Sequence, residues 1–173
     1  MWEAFTSRST RGSAPSRAMA KAPATLIIGA AGAVGKRLCA ALTARGTRVI
    51  ASDRMDELPG SLRLAMGGLG TCIGAVDVCD ADALKSLFRD HADETTTVWN
   101  LAAPLSVETA MDPAVAEAVT VGGMEKVLEA MSTVGARRIC FTDSIGSFGA
   151  SCEFLPFFPS VDTAVLDFLF VLG

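Results

Sequence analysis

The feature that most constrains this chain is the run "ATLIIGAAGAVG", residues 24–35. A short apolar stretch meets glycines at 29, 32 and 35, and a helical pattern follows at once. A strand that turns directly into a helix through glycines leaves backbone N–H groups and the positive end of a helix dipole uncovered. The first glycine permits the tight turn. The second lets a phosphate group come close, and the third lets the helix pack on the strand. That combination implies a dinucleotide pyrophosphate.

The rest of the chain supports such a turn. "TRVIASD" (47–53) is a second strand ending in Asp53, where a carboxylate would accept hydrogen bonds from an adenosine ribose. Asp53 favours NAD over its 2′-phosphorylated form by charge repulsion, whereas Arg54 beside it would accept that phosphate. A triphosphatase loop is excluded, because Ala30 stands where its first glycine belongs and Arg37 where its hydroxyl belongs.

Strands and helices alternate along the chain. "AVGKRLCAALTARG" (33–46) reads as a helix with Val34, Leu38, Ala41 and Leu42 on one face, stopped by Gly46. "GLGTCIGAVDV" (68–78) holds a third strand with a blurred start. "DADALKSLFRDHAD" (80–93) begins with acids, as a helix N-terminus should, and carries Leu84, Leu87 and Phe88 on one side. "TTTVWNLAA" (95–103) is a fourth strand, with Trp99 read as core. A long helix over 112–135 has Pro113 in its first turn and packing methionines at 124 and 131, and its Gly122–Gly123 pair costs helix propensity. "ARRICFTDS" (136–144) is a fifth strand. Strands apolar on both faces, alternating with helices, imply an α/β fold: a doubly wound parallel sheet of the Rossmann type.

Composition adds exclusions. Half of the 173 residues are apolar and 20% are charged, which is globular composition. The net charge of −4, with no basic stripe, gives no nucleic-acid footprint, and no apolar stretch is long enough to cross a membrane. The five cysteines match no zinc spacing and read as reduced, buried thiols; the single histidine, His91, reads as a solvated surface residue, so no metal site is expected.

Several segments resemble the extended short-chain dehydrogenase/reductase superfamily, in its NAD-dependent epimerase/dehydratase group. They are the G-x-x-G-x-x-G turn, "AVDVCD" (75–80), "VWNLAAPLS" (98–106), "DPAVAEAVTVGGMEKVLEAM" (112–131) and "RRICFTDSIGSFG" (137–149). Within it, "APLSVETAMDP" and "DSIGSFG" look most like L-threonine 3-dehydrogenase of the short-chain type, which oxidises the threonine hydroxyl to 2-amino-3-oxobutanoate with NAD as hydride acceptor. The resemblance implies cofactor contacts from Gly29, Gly32, Ala33, Val34, Gly35, Asp53, Arg54, Asp77, Val78, Leu101, Ala102 and Ala103. Asp77 and Val78 would lie beside the adenine. It implies the catalytic hydroxyl at Ser144, and Ser106 either near the substrate's polar groups or as a helix N-cap. A homodimer through the helix 113–134 also follows.

The departures are specific. Asn100 stands where the family has His, Thr120 for Asn, Met124 for Thr and Lys126 for Asn. The family's general base is a Tyr with a Lys four residues on, since a phenol near pKa 10 needs a neighbouring cation to act near neutrality. This sequence has no tyrosine, and its last lysine is Lys126. The expected organisation is therefore a dinucleotide-binding domain over 23–150 that stops before the catalytic helix, with a divergent hydrophobic tail over 151–173 and an extension over 1–22. The functions that follow are an incomplete, inactive threonine dehydrogenase, a truncated sugar-nucleotide epimerase or dehydratase, or a non-catalytic dinucleotide-binding module.

Residues 1–22 are rich in Ser, Arg and Ala, with Glu3 as the one acid. That composition fits either a transit peptide or a disordered extension, and so a mitochondrial or a cytoplasmic location. The resembled animal enzymes work in mitochondria. A fluorescent reporter fused to residues 1–22 is expected to enter that organelle; a reporter that stays in the cytosol removes the import assignment.

Overall fold

The computed structural model describes residues 23–104 and 112–142. The extension over 1–22, Ser106, Ser144, Cys152 and the tail over 151–173 lie outside these residues. Five strands form one parallel sheet: β1 (Ala24–Ile28), β2 (Arg48–Ser52), β3 (Gly70–Ile73), β4 (Thr97–Asn100) and β5 (Arg138–Phe141), in the order β3-β2-β1-β4-β5. The order reverses between β1 and β4. The carboxyl ends of these two strands diverge there into the crevice at which doubly wound sheets bind ligands. All of β1 is buried, as a central strand covered on both faces must be.

Each face has its own core. Helix α1 (Ala33–Ala44) and the short α2 (Gly60–Met66) cover one, with Ile27, Cys39, Val49, Ala51, Leu62 and Met66 buried beneath them. Helix α3 (Ala81–His91) and the long helical segment cover the other, over Leu26, Ile28, Ile50, Leu84, Phe88, Val98, Val127 and Ala130. Each large apolar side chain fully buried here contributes about 1.5–3 kcal/mol. Asp80 caps α3 as the acids at its start foretell, accepting from Asp82 N–H and Ala83 N–H. Lys85 Nζ lies 2.9 Å from Glu129 Oε1 and ties α3 to the long segment. The carboxylate holds the exposed ammonium's pKa above its ordinary value.

Three readings of the sequence need correction, on the α1 face, the thiols and His91. The fully buried stripe of α1 is Gly35, Cys39 and Thr43; of the expected face, Leu38 and Leu42 pack half-buried on the core, and Val34 and Ala41 are exposed. Val34 is 57% exposed because the helix meets the sheet through its small residues. Thr43 tolerates burial because its hydroxyl donates to the carbonyls of Cys39 and Ala40. The third strand lies within 68–78 as expected, at Gly70–Ile73, and α2 and a 3-10 turn (Gly67–Leu69), which the sequence did not reveal, precede it. Glycines flank α2, no side chain caps its start, and only Leu62 and Met66 are buried, so it leaves little periodic signal. Not all thiols are buried, since Cys79 is exposed while Cys72 and Cys140 are half-buried. His91 closes α3 half-buried, not fully solvated.

The long helix runs as α4 (Pro113–Glu117), a π-helical turn (Ala118–Gly122) and α5 (Gly123–Val134). The Gly–Gly pair has a packing reason. A Cβ on Gly123 would stand 2.9 Å from Val78 Cγ2, so the helix meets the connection between β3 and α3 only through glycine. Side chains bond carbonyls along the wide turn: Thr120 Oγ1 donates to Ala116 O, Cys79 Sγ to Ala118 O and Lys126 Nζ to Gly122 O. Gly46 and Gly135, at φ of 79° and 74°, end α1 and α5 in the left-handed conformation. No described helix is long and apolar enough to cross a membrane.

Burial pushes the Cys39 thiol up from 9.0 to about 11. The folded state therefore keeps its proton where the unfolded chain has lost it, and stability falls as pH rises from 9 towards 11. Urea melts at pH 8 and pH 10.5 are expected to show this loss in the wild type and a smaller one in Cys39→Ala. Equal losses in both would assign the alkaline sensitivity to other groups.

Candidate functional site

The end of β1 carries the glycine turn. Gly29 has φ of 81°, and its N–H, like that of Ala30, donates to Ser52 O at 3.0 Å, so the turn is anchored on β2. A Cβ on Gly29 would lie 2.9 Å from Leu101 C and 3.0 Å from Ala102 N, the chain leaving β4. A Cβ on Gly35 would lie 2.4 Å from Gly29 O and 2.7 Å from Ala30 Cα. Gly32 differs from both. It is exposed, sits at the N-cap of α1 with no side-chain cap, and meets only Gly29 O at 3.3 Å. The first and third glycines thus serve backbone packing. The second leaves an open surface at a helix N-terminus, with Ala33 and Val34 exposed beside it.

Asp53 follows β2 and is only 9% exposed. Its Oδ2 accepts from Ala31 N–H at 2.9 Å and its Oδ1 from Met55 N–H at 3.3 Å. Sequence reasoning marked Asp53 for a ribose. It missed that the same carboxylate ties the glycine turn to the end of β2. Two hydrogen bonds leave acceptor capacity on both oxygens. Arg54 is exposed next to it.

The chain after β3 is zipped onto the chain after β2. Val76 N–H donates to Asp53 O at 2.9 Å and Ala75 N–H to Met55 O at 2.8 Å. Ala75 is the single non-glycine at positive φ among the described residues, and a Cβ on Gly74 would meet Asp56 O at 1.9 Å. The signal for this contact was the glycine of "IGAVD", which sequence reasoning left unused. Asp77 emerges exposed, its Oδ1 accepting from Cys79 N–H at 2.8 Å, while Val78 is buried under Gly123. Beyond β4, Leu101 N–H extends the ladder to Ile28 O at 2.9 Å, and Ala103 is exposed.

The structure therefore gathers the glycine turn, Asp53, Arg54, Asp77, Val78 and Leu101–Ala103 at the carboxyl ends of β1–β4. Ser144, expected in the substrate site, and Ser106, expected either near the substrate's polar groups or as a helix N-cap, lie outside the described residues. Among the described residues no group of His, Cys, Asp or Glu is placed to hold a metal ion. The site has features that suit a dinucleotide: an open glycine at an uncapped helix start and an adjacent buried carboxylate.

The tightest of these contacts is at Gly35. A methyl there must push α1 off the turn, and overpacking costs about 1–3 kcal/mol. Gly35→Ala is expected to lower the denaturation midpoint by that equivalent, whereas Gly60→Ala, with open space around it, should not. Equal midpoints in the two variants would contradict the packing role.

Known proteins place the site in context. Among solved structures, the chain is similar to a GalE-like L-threonine dehydrogenase from Cupriavidus necator in its holo form, at 28% identity and a TM-score of 0.61 over 73% of this chain and 39% of that one. It is similar to a partial consensus L-threonine 3-dehydrogenase at 31% identity and a TM-score of 0.58, over 73% and 37%. A UDP-glucose 4-epimerase from Thermus thermophilus, in complex with NAD, gives 26% and 0.57, over 68% and 36%. The chain thus spans less than two-fifths of the length of these three proteins. Among curated proteins none matches. The model of the NAD dependent epimerase/dehydratase family matches residues 25–165, and the chain belongs to that family.

Proposed function

We propose that this chain holds NAD at the carboxyl ends of β1–β4, as the cofactor-binding part of an oxidoreductase of the L-threonine 3-dehydrogenase type. The observation that carries this reading is the division of labour among the glycines: Gly29 and Gly35 are closed by backbone, and Gly32 is open at the start of α1. The N–H groups of the first turn of α1 would face the pyrophosphate. Asp53, already oriented by Ala31 and Met55, would accept from the adenosine ribose hydroxyls. Asp77 and Val78 would lie beside the adenine, and Ala102 would border the crevice beyond the glycine turn.

Bound NAD supplies a hydride acceptor. This chain's own residues bind and orient it. With no tyrosine in the sequence, they offer no phenol to take the proton of an alcohol. The threonine dehydrogenase assignment rests on "APLSVETAMDP" and "DSIGSFG" and on the likeness to two threonine dehydrogenase structures. A homodimer through the helical segment 113–134 is part of the same proposal; Val115, Val121 and Leu128 are exposed along it.

Calorimetry with the purified chain is expected to show NAD binding that Asp53→Ala weakens by about tenfold, the equivalent of one charge-assisted hydrogen bond. Stronger binding of the 2′-phosphorylated cofactor would make Arg54, and not Asp53, the selecting residue. Threonine with NAD should give no NADH above background, since loss of a general base costs about two to four orders of magnitude in rate. Turnover at the rate of an ordinary dehydrogenase would overturn that part.

A further inference from the structure

Two of the departures from the family's residues touch each other. Asn100 ends β4 and is 5% exposed. It shares the sheet face of Val98, the face that α5 covers. Its Nδ2 donates to Met124 Sδ on α5 at 3.8 Å, and its Oδ1 accepts from Ala102 N–H at 3.3 Å. The side chain is thus a strut between a helix and the chain leaving β4. That chain is the wall of the glycine turn, with Leu101 and Ala102 filling the place a Cβ on Gly29 would need.

The family resemblance places His at 100 and Thr at 124. Asn is smaller than His, and Met is larger than Thr. The two changes oppose each other in volume, as paired core changes must where packing is dense. The polar link survives in altered form, since a thioether accepts weakly from an amide. Asn100 is buried, and Met124 lies half-buried against the core. A leucine at 100 would leave Ala102 N–H, beside the turn, without its acceptor.

We propose that Asn100 is a positioning residue for the β4 wall of the dinucleotide site, and that Met124 is its matched partner. Asn100 touches no reacting atom. It fixes the direction of the Ala102 N–H and so the path of Leu101–Ala103 past Gly29. The inference rests on the NAD-binding reading for its ligand, and on the two hydrogen bonds for its geometry.

The test uses the whole chain with Asn100→Leu, Asn100→His, Met124→Thr and the double variant Asn100→His/Met124→Thr. Amide exchange at Ala102 is read without ligand, and affinities for NAD and for AMP are read by calorimetry. Asn100→Leu should speed Ala102 exchange and weaken NAD by about tenfold, the scale of one lost hydrogen bond. AMP, which by the proposed binding mode ends at the glycine turn, should change by less than about twofold, where a general loss of structure would weaken both ligands. Met124→Thr, at a half-buried position, should also speed Ala102 exchange, so the proposal stays testable should the leucine variant not fold. The double variant should bind NAD more tightly than the sum of the single effects allows, as touching residues do. Unchanged Ala102 exchange in the single variants, parallel loss of NAD and AMP, or strict additivity would overturn the pair. Should the wild-type chain bind neither ligand, the NAD reading fails, and Ala102 exchange still decides whether Asn100 and Met124 set the wall.

Discussion

The contact on which the rest depends is the approach of α1 to the end of β1. Gly35 lies against Gly29 O and Ala30 at distances no side chain permits. That approach fixes where the helix begins, and so where its dipole and its first N–H groups point. It also brings Gly29 onto Leu101 and Ala102, so the ends of β1 and β4, the two strands at the reversal, share one backbone contact. The exposed N-cap at Gly32 is a consequence of this packing. The turn is anchored on both sides, and the part left uncovered is the part a phosphate would need.

A second tie makes the site rigid in the plane of the sheet. The carboxylate of Asp53 reaches back across the end of β2 to Ala31, and the chain after β3 is bonded to the chain after β2 at Asp53 O and Met55 O. A ligand group meeting Asp53 would find the acceptor already oriented. Ordering a long, exposed side chain costs up to about 2 kcal/mol, and a carboxylate held by two backbone N–H groups avoids most of that cost on binding.

Where the sequence carried a physical necessity, it was legible. The strand–glycine–helix turn, the acid at the end of β2, the Asp80 cap and the Leu84–Leu87–Phe88 face are each dictated by local chemistry, and each stands in the structure as read. The α1 face was legible in part: Leu38 and Leu42 pack half-buried on the core, but amphipathic reasoning looks for large apolar residues, and the fully buried stripe is Gly35, Cys39 and Thr43. Gly74, Ala75 and Asn100 were not legible as contacts. Their roles arise between segments distant in sequence: Gly74 against Asp56 O, Asn100 against Met124. Asn100 and Met124 were visible only as two separate departures from a pattern, and nothing in one dimension says that they meet.

The arrangement separates binding from chemistry. Interactions that are equally strong with the cofactor before and after hydride transfer confer affinity and leave the barrier to the chemical step unchanged. In the proposed binding mode the glycine turn and Asp53 are of this kind, for they would address the pyrophosphate and the adenosine, groups that do not change in a redox step. Acceleration requires groups whose interaction grows as a proton leaves an alcohol, and those are a base and the cation that lowers its pKa. The last lysine of the sequence, Lys126, donates to Gly122 O at 3.2 Å, and the sequence holds no tyrosine for it to serve. On the NAD-binding reading, such a scaffold would hold a dinucleotide in one orientation, and the groups that act on the nicotinamide would lie outside the glycine turn and its carboxylate.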